Sequence, residues 1–472
     1  MNRKGIAIWL ALVVLLSSII IVVKIAPKAT AYTPHAPIHI DGDADFAIQA
    51  AREGWPGDGT EGNPYVIEGY EISSSSHYGI DISSTNVHFV IKDNKINSGS
   101  WSSTGIFLNS VENGKISDCI FENHSNGIYL WAANKIIITN NRLINNNLLF
   151  WESIECTFIA NTFIEGGFKV QGFELERWNS HNIDTSNTVN GKPVYYWKDR
   201  NGGTVPEDAG QIILVNCTDV TVENQKLTNG SHGIILGYSS IINIKWNLID
   251  SNNEAGIYLW KSSENTITDN NLSSNKVGTE LQHSNNNTIQ FNEVSNGGTG
   301  IFILDPSTGN YVFGNNALNN SIGIKIFSSP SISNEQYLSH GNTIKNNTVT
   351  DNWGGISIVH SKWNEIIDNT VANNYVRGIS LDESDENTIR NNIVSNSSRG
   401  FFISSSNENS LLDNNVSSNY FGIFLEHSYD NIIHHNNIIN NSVQLYQNDS
   451  INSWDDGEGE GNYWSDYAGM DL

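Results

Sequence analysis

The chain predicts an all-β solenoid, a parallel β-helix of about 16 coils with a short capping helix at its start. Three observations predict it. A unit recurs: Thr266-Ile267-Thr268-Asp269-Asn270-Asn271-Leu272 returns as Thr288-Ile289-Gln290-Phe291-Asn292-Glu293-Val294. Its first aliphatic position can be followed from Ile67 to Ile433 at steps of about 22 residues, the spacing of a stacked solenoid that tolerates insertions. Asn stands three positions later in 13 of the 16 registers, the exceptions being Tyr70, Cys119 and Gln225. An inward Asn at a bend, about 4.8 Å from its copies above and below, can pass amide hydrogen bonds along the axis.

Each element follows in chain order. Arg3 and Lys4 precede an uncharged apolar run over residues 5–23, and Ala29-Thr30-Ala31 follows. Residues 1–31 are therefore a secretory signal with an A-x-A cleavage site or an uncleaved N-terminal membrane anchor. Either places the body outside the cytoplasmic membrane, secreted or at the cell surface; if the segment is uncleaved, residues 5–23 are its one expected membrane contact. Residues 32–64 divide into a Pro-bearing tether at 32–37 and an N-terminal cap. The cap holds an expected helix from Asp43 to Glu53 that covers the open end of the solenoid.

Residues 65–450 are the β-helix, built from runs such as Gly127-Ile128-Tyr129-Leu130 that alternate with period two. The last register of the first series falls loosely at Asp184, and the long step from there to Val222 reads as a hairpin-like excursion. A second excursion spans 328–341. Residues 451–472 form an acidic, aromatic C-terminal segment.

The repeats resemble the NosD-like secreted right-handed β-helix proteins common in archaea. The likeness extends to Ile40-Asp41-Gly42, Gly54-Trp55-Pro56-Gly57, Asn63-Pro64-Tyr65-Val66-Ile67, Asn190-Gly191-Lys192-Pro193-Val194-Tyr195-Tyr196-Trp197, and Trp454-Asp455-Asp456-Gly457 with Gly461-Asn462-Tyr463-Trp464. It implies a right-handed coil. For activity it implies only a range that includes sugar-binding modules, polysaccharide lyases, hydrolases and epimerases, and copper-delivery accessories.

Charge narrows that range. Lys plus Arg total 25 and Asp plus Glu 50, a net charge of −25. Such a surface repels nucleic acid and resists anionic glycans unless cations bridge them. Three Cys in different coils, at 119, 156 and 217, read as buried free thiols.

In the Gly-Ile-x-Leu runs the x residue and the residue after Leu face outward. Tyr129, Trp131, Tyr258 and Trp260 occupy such places, and Asp382 and Glu426 share the strip. Rings with neighbouring carboxylates suit a polysaccharide or surface glycan, so the expected function is a carbohydrate-binding or scaffold rod. The alternatives are a lyase, epimerase or hydrolase on the same fold and a structural adhesin that binds protein. Asp455, Asp456, Glu458 and Glu460 crowd a Gly-rich stretch whose oxygens suit Ca²⁺. His283, His360 and His427 repeat three coils apart, roughly 14 Å, too far to share one copper ion.

Overall fold

The structure of the protein is a computed structural model that describes residues 31–467, apart from 75–76, 99–102, 332–333 and 335–337. The apolar segment 5–23 lies outside the described residues, and among those described no helix is long and apolar enough to cross a membrane. Short strands wind a parallel β-helix of about 18 turns. The two turns beyond expectation come from Asn201–Thr204, inside the long step, and Ile451–Ser453 at the end.

The register read from the aliphatic positions recurs strand by strand: Ile267 lies between Ile244 and Ile289, and Ile344 between Val312 and Ile366. One position differs. Ile183, not Asp184, pairs with Phe158, and an extra residue precedes the ladder residue Asn187.

The corners explain the repeat. A residue in the left-handed region, such as Asp269 or Phe291 with φ near 55°, turns the chain immediately before each buried ladder residue. The amide that follows then satisfies the turn. Asn292 donates to the carbonyls of Ile267 and Gln290 and to Asn315 Oδ1, while its own Oδ1 accepts from the backbone and side chain of Asn270. The sequence pattern revealed this ladder, but two further Asn ladders run beside it. One passes through Asn265, Asn287 and Asn310, the other through Asn320, Asn352 and Asn374. A Ser ladder through Ser262, Ser284 and Ser307 fills a fourth corner. Cys119, Cys156 and Cys217 take ladder places, buried and free. Burial pushes the thiols of Cys119 and Cys156 up to about 12.

The ends are closed as apolar interiors require. Helix α1, Asp43–Glu53, buries Phe46 against Tyr65 with ring centroids 4.9 Å apart. The tether is not free, because Thr33–His35 pairs with Tyr70–Ser74. Trp454 and Trp464 pack on the far end of the core, and Tyr463–Trp464 adds to the last sheet, so the acidic segment continues the solenoid.

The stack is interrupted once. The hairpin expected over 184–222 is instead a turn of Thr188–Val189 with Lys192–Lys198 at Asn190-Gly191, and Lys192–Lys198 then pairs in parallel with Gln211–Val215. One face of the first stack thereby continues as a different face of the second. The neighbouring face of the first stack ends at Phe168–Gln171, where the side chains of Gln211 and Ser231 bond the Phe168 backbone. Beyond it the one-turn helix α2, Glu176–Asn179, lays Trp178 over the outside of the second stack. A Cβ at Gly237 would fall 2.4 Å from the Trp178 ring, so this joint needs glycine there. The molecule is two solenoid stacks joined at an offset.

Replacing a ladder amide removes the partners of several buried groups at once. Asn292→Ala is expected to cost about 2–4 kcal/mol, while Asn253→Ala at an exposed place two turns earlier costs at most about 0.5 kcal/mol. Urea unfolding of both variants checks it.

Candidate functional site

The offset creates a partly enclosed cleft at the junction. Outward residues of the first stack meet outward residues of the second there, and the loop carrying Gly172 and Phe173 bridges them. A cleft of about 200 Å³ results, lined by Trp151, Gln171, Phe173, Trp260, Gln282 and His283 among others.

Parallel pairing puts Phe107, Tyr129 and Leu149 in one outward column and Trp131 and Trp151 in the next. Trp131 and Trp151 stack at 5.6 Å with planes 6° apart. The run of rings continues from Trp151 to Phe173 at 6.3 Å, Phe173 to Trp260 at 6.1 Å and Trp260 to His283 at 4.6 Å. It extends backward through Tyr129 and Phe107. Trp131 and Phe173 remain 44% and 54% exposed, so ring faces are offered to solvent along the belt.

Of the expected ring residues, Trp131 is exposed and Tyr129 half-buried, but Tyr258 and Trp260 are buried. The expectation that they lie on an open strip is corrected by the joint: the first stack's end covers them, with Trp178 stacked 6.4 Å from Trp260. They form the inner wall of the cleft. Trp151 shares the column of Trp131 one step of the repeat later, a signal the sequence offered and the column logic would have found. Phe173 sits in a loop outside the repeat, where no periodic signal reaches.

Polar groups brace the joint. Lys169 Nζ lies 2.6 Å from Glu254, which also pairs with Lys276 at 2.8 Å. Tyr238 Oη and Lys261 Nζ both donate to the Phe173 carbonyl, at 2.5 and 2.6 Å. Tyr258 donates to Gln282 Oε1 at 3.1 Å, and the buried His232 ring lies 5.3 Å from it.

This packing splits the titration of neighbouring acids. Burial alone would raise Glu254, but Lys169 and Lys276 hold it down at about 2. Glu280 pairs across the sheet with Tyr258 and Phe302. Burial and the charge of Glu254 push it up to about 7 against the pull of Lys276 and Lys169. Burial, reinforced by Lys169, holds His232 neutral at about 3.

Asp382 and Glu426 lie two turns apart in one column, well along the second stack. Asp382 pairs with Arg377 at 2.8 Å, and the Arg377 guanidinium rests 3.7 Å over Phe402. These acids do not join the cleft. In the C-terminal segment, ligand atoms of Asp456 and Glu460 come within 4.8 Å of one another and of His435. Asp455 and Glu458 are not in that group. Asp456 Oδ1 already accepts the backbone N–H groups of Glu458 and Glu460, which orders the loop. The rings of His434 and His435 meet edge-on at 4.5 Å.

Two family profiles match the chain. The family described as periplasmic copper-binding protein (NosD) covers residues 200–337 and 333–469, and right-handed beta helix region covers 58–206. No curated protein sequence matches. Among solved structures, the chain is similar to the Azotobacter vinelandii mannuronan C-5 epimerase AlgE6 A-module at 11% identity and TM-score 0.31, covering 89% of this chain and 93% of that one. It is similar to pectate lyase Pel9A at 16% identity and TM-score 0.34, covering 61% and 76%. It is also similar to DFA-IIIase from Arthrobacter chlorophenolicus A6 in complex with GF2, at 11% identity and TM-score 0.36, covering 83% and 93%. None of these structural likenesses bears on activity.

The raised Glu280 gives a pH signature. The fold favours its neutral form, so its contribution is full below the ordinary value of 4.5 and is lost as pH rises through about 7. Relative to Glu280→Gln, which keeps the shape without titrating, the native chain should lose up to about 3 kcal/mol between pH 4.5 and 8. Denaturant midpoints of the two proteins across that range measure it.

Proposed function

The chain belongs to the NosD family of right-handed β-helix proteins, and from that premise we propose that it is an exported rod that binds a neutral carbohydrate chain at the joint of its two stacks. The observation that carries this is the belt of rings from Trp131 through Trp151 and Phe173 to the buried Trp260, with Trp131 and Phe173 exposed beside a cleft of about 200 Å³. The C–H face of a pyranose is apolar and slightly electropositive, and it seats on the electronegative face of an aromatic ring. The cleft is smaller than a drug-sized pocket and suits a single sugar ring, with the flanking rings carrying its neighbours along the chain. Gln171, Gln282 and His283 supply partners for hydroxyls. The net charge of −25 favours a neutral glycan.

A second reading, that the bound chain is also cleaved, rests on the split acids. Glu280 retains its proton near neutral pH while Glu254 nearby is ionised, the division of roles that glycosidic acid–base chemistry uses. The two Lys partners that lower Glu254 also occupy it, which favours binding over chemistry.

Copper, named in the family's description, is a poor fit to the residues present. The His435, Asp456 and Glu460 group offers one imidazole and two carboxylates, without thiolate or thioether, and the three Cys are buried. That oxygen-rich set suits a harder divalent ion, so the expected Ca²⁺ in this segment stands as a proposal, with Asp456 and Glu460 as its ligands.

Affinity electrophoresis through gels carrying neutral and anionic polysaccharides, with and without Ca²⁺, tests the reading. Retardation by a neutral glycan that is recovered intact is expected, and Trp131→Ala with Phe173→Ala should weaken it about tenfold or more. Shortened glycan, with shortening abolished by Glu280→Gln while retardation persists, would favour the second reading. Unaltered migration in every gel would remove both.

A further inference from the structure

Far along the second stack a different surface has the marks of a binding site. The residue after each member of the third Asn ladder stands at the corner entering one face of the solenoid. Read down this column the residues are Gly298, Ser321, Trp353, Tyr375, Ser398, Tyr420 and Ser442. The column carries rings at Trp353, Tyr375 and Tyr420 and is otherwise small; Trp353 and Tyr375, on adjacent turns, stack at 4.8 Å with planes 29° apart. They are 60% and 70% exposed. Across the ladder backbone runs a parallel column of left-handed corner residues, Asn319, Asp351, Asn373 and Asn396. Between the columns lies an open groove of about 680 Å³.

Packing explains the depth of this groove but not its rings. Gly297 and Gly298 are required by the fold, since a Cβ at either would sit 2.4 Å from the carbonyl oxygen of Asn275 or Lys276. They leave the Trp353 end of the aromatic stack next to a hollow. Trp353 and Tyr375 fill no interior and cover no joint. Opposite them, the side chains of Asp351, Asn373 and Asn396 make no hydrogen bond or ion pair among the described residues. A bare ring face beside a hollow, with three uncommitted amide or carboxylate groups across from it, is the complement of a sugar ring: apolar on one face and rimmed by hydroxyls.

We propose that the Trp353–Tyr375 groove is a second carbohydrate site, which binds a neutral β-linked glycan by continuing the ring stack with a pyranose. The site is independent of the cleft at the joint. Asp351 in its wall, together with the acidic surface, selects against uronate chains. Turns rise about 4.8 Å each, so consecutive sugars of one extended chain meet consecutive turns of the groove. A long glycan can engage both sites, and the second then binds at high effective concentration.

Titration calorimetry of the full protein with neutral hexasaccharides of β-1,4-linked glucose, mannose and xylose, and with hexagalacturonate as the anionic control, tests this. At least one neutral hexasaccharide should bind with a component that is weakened about tenfold or more in Trp353→Ala/Tyr375→Ala. That component should persist in Trp131→Ala/Phe173→Ala, which reports on the joint instead. Both groove residues are exposed, so the double variant should melt with the native protein, and its melting curve confirms the fold. Binding that is unchanged in the groove variant, absent for every neutral hexasaccharide, or stronger for hexagalacturonate overturns the proposal. Binding lost only in the groove variant keeps it and removes the joint reading.

Discussion

Everything in this chain depends on the handing of amide hydrogen bonds from one turn to the next. A solenoid corner leaves backbone N–H and C=O groups pointing into a narrow apolar interior, where an unmet polar group costs about 1–3 kcal/mol. Asn meets the need because one side chain carries two donors and an acceptor with two lone pairs. Asn292 uses all of them, accepting from the preceding turn and donating to its own turn and to the turns on either side. With corners settled this way, strands as short as Thr288–Gln290 suffice, and the interior needs only a column of Ile, Leu and Val. The preference for Asn, Asp and Ser at the preceding left-handed residue follows from the same local geometry.

This also decides what was legible in the sequence. The ladder at the third place after each aliphatic register was visible because it coincides with the strongest apolar signal. The ladders through Asn265 and Asn320 carry the same chemistry, but their apolar neighbours are weaker landmarks, and the Ser ladder has no amide to mark it. The capping helix was legible to its ends because Asp43 to Glu53 is the one early stretch with alanine-rich, helix-like spacing. The joint was not. The long step was read as a hairpin-like excursion, without its turn at Asn190-Gly191. That Lys192–Lys198 joins the next turn in parallel is a tertiary fact, carried by the pairing of Tyr195, Tyr196 and Trp197 with Ile212, Ile213 and Leu214 rather than by any local pattern.

The candidate site was half legible for the same reason. Tyr129 and Trp131 could be assigned outward from the period of two alone. Tyr258 and Trp260 obey the same rule and are nonetheless buried, because outward means exposed only while nothing packs on the sheet. Trp178 and Phe173, which cover them, belong to a segment where the repeat fails. Trp353 and Tyr375 escaped notice for the opposite reason: they sit at a corner rather than in a Gly-Ile-x-Leu run, and only the third ladder shows that they are neighbours.

A perfect solenoid would present the same surface at every turn, and a surface that repeats without end cannot tell one ligand position from another. Position must come from breaks in the translation. The offset between the stacks is such a break: it turns two flat outer faces into a walled cleft and buries acids deeply enough to separate Glu280 from Glu254 in proton affinity. The corner column is varied in a milder way where two rings fall on adjacent turns and stack. The first break needed an inserted turn and a one-turn helix; the second needed only two side chains. Ladder and core thus hold the coil constant, leaving the outward columns free to vary at little cost in stability, and binding on this fold is set by which columns lose their monotony and where.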